Sequence, residues 1–410
     1  MDPVYPLWRI QASNPLWWLP LLAMLGMTAV LWRYRTSWSR PFLFAWGFFC
    51  VALFPVMGFT DVGFMRFSLV ADRYQHVAII GVIALVTAGL ITWQRRVRNK
   101  KCWAMVVLAA GIPAFLSWGQ SGIYRDPITF NRAALEKNPA FWLGYYNLGV
   151  ALNKEGHSLE AAKQYEQVLR LEPNDSFAHS NLAAILIQSS RYQEAIDHLR
   201  QALRVNPDYL VALNNMAGAL VQTGRPEEAI QYCRQALRLK PDCFEAHYNL
   251  ANAFFNTGRF QEAIEQYDQA IRLESDRPKA HYNMGVALIN TGRLREAIDH
   301  FEKVLRLRPD FTEAHNNLAI ALLKTGRPQE AIEHYQKVLR LKPDSPEIHF
   351  NLALAYANMR QSSKAFAEAQ KAVELAQSQG NSPLVKQIED WLNSYHASLS
   401  KIPSTPPISK

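Results

Sequence analysis

The sequence predicts an all-α protein in which four transmembrane helices precede an α-solenoid. Three observations carry that reading. First, the pair Leu148-Gly149 recurs as Leu182-Ala183, Met216-Ala217, Leu250-Ala251, Met284-Gly285, Leu318-Ala319 and Leu352-Ala353, each step being 34 residues. A fixed period of this length marks a stacked supersecondary unit that buries its apolar face only against its neighbours. Second, four runs in the first 120 residues contain no charged residue. Third, that segment holds 11 Lys or Arg against three acids, so +8 of the net charge of +9 sits beside the apolar runs.

The four runs are Pro15–Trp32, Pro41–Phe59, Val77–Trp93 and Cys102–Trp118. A helix rises about 1.5 Å per residue and the hydrocarbon core is about 30 Å thick, so runs of 17 to 19 residues reach across at the short end of the range. Trp17, Trp18, Trp32, Trp46, Trp93, Trp103 and Trp118 lie mostly near their ends, as an aromatic belt requires. The N-terminus lacks a basic n-region and a small-residue cleavage site, so no cleavable signal peptide is expected. Loops 33–40 and 95–101 together hold eight Arg or Lys, against Arg9, Arg66 and Arg73 on the other side. The basic loops are therefore expected in the cytoplasm, with the repeat domain on the extracytoplasmic side. The expected location is an integral membrane protein, in a bacterial inner membrane, with membrane lipid as its surroundings. The remaining residues carry 33 bases and 32 acids, which excludes a nucleic-acid footprint on the repeats.

Residues 120–141 form the junction. The 34-residue register already holds there, with Ala134 and Pro139 at register positions 27 and 32, so Phe130–Lys137 reads as the second helix of a partial repeat. Seven units follow over 142–379, starting at Trp142, Ser176, Leu210, Phe244, Pro278, Thr312 and Pro346. Position 8 is Gly or Ala throughout, and position 20 is alanine in every unit, from Ala161 to Ala365, because the two helices of a unit pack closely. Position 32 is proline in five units, where it ends the second helix. Position 15 is glycine in five units, Gly156, Gly224, Gly258, Gly292 and Gly326, as a helix C-cap asks. The last unit departs, with Arg360 at position 15 and Gln377 at position 32. Ser382–Leu399 follows as an amphipathic capping helix over 380–399, and 400–410 has the composition of a disordered tail. These positions resemble the tetratricopeptide-repeat family, which implies a right-handed α-solenoid superhelix with the first helix of each unit, helix A, lining a concave groove.

Position 6 is asparagine in every unit: Asn147, Asn181, Asn215, Asn249, Asn283, Asn317 and Asn351. Packing alone does not ask for an amide there. The row resembles the asparagine ladder of O-GlcNAc transferases, which implies that the amides hold an extended peptide backbone, each offering a donor pair and an acceptor. The other reading is that each amide bonds the neighbouring helix. Position 5 (Tyr146, Ser180, Asn214, Tyr248, Tyr282, Asn316, Phe350) and position 9 (Val150, Ala184, Gly218, Asn252, Val286, Ile320, Leu354) vary, and make the expected groove neutral and partly aromatic.

Position 4 is histidine in five units, His179, His247, His281, His315 and His349, one per repeat, and reads as a packed imidazole; no metal site and no cofactor are expected. Cys50, Cys102, Cys233 and Cys243 read as small buried apolar residues. A Cys233–Cys243 bridge stays open only if the domain faces an oxidising space. No H-E-x-x-H, C-x-x-C, G-x-S-x-G or phosphate-loop motif occurs, so no catalytic residue is assigned.

The loop Thr60–His76 sets Arg66, Asp72, Arg73 and Tyr74 beside an apolar span, as a candidate membrane-loop site or an ordinary solvated loop. The stretch Arg66-Phe67-Ser68-Leu69-Val70-Ala71-Asp72-Arg73-Tyr74-Gln75-His76 resembles a segment of multi-span tetratricopeptide-repeat proteins related to GT-C glycosyltransferases. Members of that family have many more spans and an early acidic catalytic loop. This sequence resembles their C-terminal part. Two functions are therefore expected as alternatives. One is a membrane-anchored scaffold binding extended peptides or partner proteins. The other is the C-terminal portion of a protein glycosyltransferase whose repeats present acceptor proteins, with the catalytic site supplied by a further N-terminal part.

Overall fold

The structure is a computed structural model that describes residues 25–26, 28–30, 32–33 and 126–400. The loop Thr60–His76, Cys50, Cys102 and most of the four apolar runs lie outside the described residues, as do 401–410. Among the described residues every regular element is a helix, and none is long and apolar enough to cross a membrane.

The chain divides into two compact units, Met1–Ile185 and Leu186–Lys410. The first contains α1 (Pro127–Lys137), α2 (Trp142–Lys154) and α3 (Ser158–Leu171), followed by α4 (Ser176–Gln188), which runs past its boundary. Asp126 caps α1, its carboxylate accepting from the Thr129 N–H at 2.8 Å. Helix α1 packs on α2, and α2 on α3.

The second unit contains α5 (Tyr192–Val205), α6 (Leu210–Gln222), α7 (Pro226–Leu239), α8 (Phe244–Asn256), α9 (Phe260–Leu273), α10 (Pro278–Asn290), α11 (Leu294–Leu307), α12 (Thr312–Lys324), α13 (Pro328–Leu341), α14 (Pro346–Asn358), α15 (Ser362–Ser378) and α16 (Ser382–Ser400). Each of these packs on the next. The first helices of successive repeats also touch, α6 on α8, α8 on α10 and α10 on α12, and so form a layer of their own.

Close approach explains the small residues. All seven position-20 alanines are fully buried. A Cβ built on Gly149 would stand 2.8 Å from the Tyr165 ring, and one on Gly285 2.7 Å from the Phe301 ring. At these two positions the aromatic ring of the second helix, helix B, seats directly on the backbone of helix A. Tyr165, Tyr267, Phe301 and Tyr335 all fill register position 24 and are among the largest fully buried side chains.

Proline at position 32 is not the only stop for helix B. Ser275 replaces it in the fourth unit, yet α9 still ends at Leu273. Arg277-Pro278 follows closely, and a residue before proline is biased away from the helical region. In the last unit, with Gln377 at position 32, α15 runs 17 residues where earlier helices B run 14. It stops at Gly380, whose φ is +70°. Helix α16 then covers the end of the stack, seating Ile388 against Phe350, Ala353, Ala369 and Ala372, with Trp391 edge-on to Phe350 at 5.6 Å.

Position 15 is left-handed in every repeat. Its glycines have φ of +72° to +87°, and the two residues that replace glycine are left-handed too, Ser190 at +58° and Arg360 at +57°. An L-residue there costs about 1–2 kcal/mol, of which glycine returns a part through the entropy of its unfolded chain. Ser190→Gly and Arg360→Gly are each expected to stabilise the fold by about 0.5–1 kcal/mol, read as a raised denaturation midpoint at unchanged m-value. A lowered midpoint for either would contradict the strain assigned to these turns.

Candidate functional site

The asparagine row lies on the helices A and is half-buried in every repeat. Each side-chain amide with a resolved partner donates to the residue 35 positions earlier, at position 5 of the preceding repeat. Asn181 donates to the Tyr146 hydroxyl at 3.2 Å, Asn283 to the Tyr248 hydroxyl at 3.0 Å and Asn317 to the Tyr282 hydroxyl at 3.0 Å. Asn249 donates to the Asn214 carbonyl at 3.0 Å and Asn351 to Asn316 Oδ1 at 3.4 Å. The donor half of the ladder is thus committed between repeats. The acceptor half is not: Oδ1 of Asn181, Asn249, Asn283 and Asn351 receives no donor among the described residues. Asn317 Oδ1 receives Asn316 Nδ2 at 3.4 Å.

The aromatic residues of position 5 hold this row in place. Tyr146, Tyr248 and Tyr282 lean on the position-24 rings Tyr165, Tyr267 and Phe301, with centroids 5.9, 6.1 and 6.0 Å apart. Burial pushes the Tyr248 and Tyr282 phenols up, against the lowering effect of their asparagine hydrogen bonds, so both stay neutral hydroxyls. In the fourth repeat Asn252 Oδ1 gathers two donors, the Tyr267 hydroxyl at 2.6 Å and Asn283 Nδ2 at 3.0 Å. The partnership of positions 5 and 6 was written in the sequence as an offset of 35 residues, visible once the repeat register is set. Asn252 and Tyr267 carry no such signal, because position 9 varies.

The position-4 histidines form a second column. The ring Nε2 of each meets the carbonyl six residues earlier, in the inter-repeat turn: His179 to Pro173 at 3.0 Å, His247 to Pro241 at 2.9 Å, His281 to Ser275 at 3.0 Å, His315 to Pro309 at 2.8 Å and His349 to Pro343 at 3.1 Å. A carbonyl only accepts, so Nε2 carries the proton. In four repeats Nδ1 faces position 23 of helix B: Gln266 at 2.8 Å, His300 at 3.0 Å, His334 at 2.8 Å and Glu368 at 2.6 Å. The histidine clips its own hairpin to the preceding turn.

The remaining chemistry is structural. Arg191, Arg225, Arg293 and Arg327 each grip the glutamate three residues on in a two-point ion pair at 2.6–2.7 Å, and Arg259 grips Glu262 in the same way. Such exposed pairs contribute little each. Cys233 and Cys243 are free and buried, and burial pushes the Cys233 thiol up to about 12, so it stays protonated. Among the described residues no group of three or more His, Cys, Asp or Glu is placed to hold a metal ion. Arg66, Asp72, Arg73 and Tyr74 lie outside the described residues.

Stacked helical hairpins, two of them with an aromatic ring of helix B seated on a glycine of helix A, define an α-solenoid repeat protein. Models of the tetratricopeptide-repeat family match residues 144–175, 174–242 and, in overlapping copies, 214–381. The chain belongs to the tetratricopeptide-repeat family. It is 29% identical over 168 residues to the human protein O-mannosyl-transferase TMTC3, a match covering 39% of this chain and 17% of that protein. The chain therefore spans only a small part of that relative's length. Similar solved structures include YrrB, described as a repeat protein with an unusual peptide-binding site, at 23% identity over 45% of this chain and 95% of that one, TM-score 0.38. MamA from Desulfovibrio magneticus RS-1 is 25% identical over 42% of this chain and 96% of that one, TM-score 0.40. Pseudomonas aeruginosa pilF is 20% identical over 55% of this chain and 98% of that one, TM-score 0.46.

Acid should loosen the histidine clips. Burial holds His281, His300, His315 and His334 below the usual imidazole range, His334 at about 4, and within each pair the neighbouring ring adds to the lowering of His300 and His334. Lys303 and Arg306 beside His281, and Lys337 beside the second pair, act in the same direction; Asp276, Asp268, Asp299, Glu296 and Glu330 oppose it. A depressed pKa gives stability that is complete above the unfolded value of about 6.5 and is lost as pH falls towards the folded value. The urea midpoint is expected to drop between pH 6.5 and 4, and to drop less in His300→Gln/His334→Gln. Equal pH slopes for parent and variant would contradict this.

Proposed function

We propose that this chain is a membrane-anchored repeat scaffold that holds extended, uncharged peptide segments of partner proteins on the extracytoplasmic side. The observation that supports it best is the unmatched half of the asparagine ladder. Asn181, Asn249, Asn283 and Asn351 each donate to the repeat before them and keep a carbonyl oxygen for an outside donor. An extended peptide backbone supplies N–H groups at regular spacing whatever its side chains. The neighbouring Tyr146, Tyr248 and Tyr282 add flat apolar surface without charge. Tetratricopeptide repeats serve as protein- and peptide-binding modules, which agrees with this use. Anchoring rests on the four charge-free runs and their flanking arginines.

The second reading, a portion of a protein glycosyltransferase whose repeats present acceptors, is favoured by the likeness to the O-mannosyl-transferase TMTC3. In that case Arg66, Asp72, Arg73 and Tyr74 would face a lipid-linked donor. Membranes bearing this chain together with an N-terminal part that supplies the catalytic site would then transfer sugar from such a donor, and Asp72→Ala would reduce the transfer.

Peptide display on the full-length chain is expected to select uncharged, extended segments. The triple variant Asn249→Ala, Asn283→Ala, Asn351→Ala is expected to bind them about tenfold more weakly or worse, since three lost hydrogen bonds are worth about 0.5–1.5 kcal/mol each. It also loses inter-repeat donors, so the comparison belongs at a temperature where its circular dichroism matches the parent. Unchanged affinity in the folded variant would remove the ladder from the binding site. Protease added to sealed vesicles should cut the repeats only from the extracytoplasmic face.

A further inference from the structure

We propose that the two histidine pairs, His281–His300 and His315–His334, are two equivalent binding positions for a borderline divalent metal ion that takes adjacent imidazole nitrogens, such as Cu²⁺ or Ni²⁺. In each pair the two Nδ1 atoms face one another across the hairpin, 3.0 Å apart in the first and 2.8 Å in the second. Two nitrogens bound at about 2.0–2.1 Å in neighbouring corners of a square plane stand about 2.9 Å apart, and imidazole suits these metals. The separation is that of a chelating pair, held by two rigid helices.

The surroundings agree. Metal-binding histidines commonly donate their other ring N–H to a carbonyl, which fixes the tautomer and the ring plane. His281 and His315 do so, through Nε2 to Ser275 and Pro309. Their Nδ1 is therefore already bare. His300 and His334 donate from Nδ1 in the metal-free hairpin, but their Nε2 has no partner among the described residues, so the proton can move there. Binding needs that tautomer change and a turn of the rings that aims both Nδ1 lone pairs at the ion, with no net loss of a proton from the rings. His281 and His315 are 6% and 4% exposed, and the half-buried His300 and His334 open each pair to solvent. Water supplies the other corners, because no third His, Cys, Asp or Glu is placed to complete either site.

The rival account is that position 23 is merely a hydrogen-bond partner, as Gln266 is for His247. That repeat provides the control. Glutamine at position 23 keeps a clip of 2.8 Å in this fold, so His300→Gln and His334→Gln should fold as the parent does while each removes one ligand.

The test is titration of the full-length chain with Cu²⁺ and with Ni²⁺ in the presence of glycine as a weak competitor, followed by electron paramagnetic resonance of the copper form. The parent is expected to take up two equivalents, with nitrogen hyperfine coupling. Each single variant should lose one equivalent and the double variant both, at an unchanged metal-free melting temperature. No uptake by the parent, or equal uptake by the folded double variant, would overturn the proposal.

Discussion

The structure depends on the close packing of the two helices inside each hairpin, plainest where a large side chain at position 24 is seated on a glycine at position 8. Where that side chain is Tyr165 or Phe301 the ring lies so close to helix A that only glycine fits beneath it. The seated ring in turn supports the position-5 aromatic, and that residue receives the amide of the next repeat. Packing within a hairpin is thereby linked to hydrogen bonding between hairpins. In a stack where each unit touches only its neighbours, such links set how far one repeat's stability is passed to the next.

Much of this was legible in the sequence because a repeat shows each structural demand seven times. Small residues at positions 8 and 20 announced the close helix pair, and glycine at position 15 announced the left-handed turn. What the pattern hid was the exception. Ser190 and Arg360 adopt the left-handed turn without glycine, because the hairpin over-determines the backbone there. Helix α9 stops at Leu273 without a proline at position 32, its C-cap Glu274 already extended. The sequence left two readings of Asn147 to Asn351, amides that hold a peptide and amides that bond the neighbouring helix, and in five of them the donor half bonds the preceding repeat. The orientation of a side chain depends on its neighbour 35 residues away, and that neighbour alternates between tyrosine, asparagine and others. The histidine column was read as packing, and the carbonyl clip shows why position 4 prefers an imidazole, which reaches two partners at once.

The division of Asn181, Asn249, Asn283 and Asn351 into a committed donor and an open acceptor shapes the functional proposal. A ladder that spent neither half would be free to reorient, and a ladder that spent both could bind nothing. Fixing Nδ2 on the preceding repeat orients Oδ1 before any ligand arrives, which lowers the ordering cost of binding. The same economy appears in the histidine column, where the turn carbonyl holds Nε2 and leaves Nδ1 turned to the hairpin.

The central claim is that the ladder recognises ligand N–H groups through its oxygens. The most direct measurement is an N-methyl scan of a bound peptide, in which each backbone N–H is replaced in turn and affinity is measured. The account predicts loss of affinity at alternate residues, since successive N–H groups of an extended chain point to opposite sides. Affinity indifferent to every N-methyl group would show that the peptide is held by its side chains, and would contradict the account.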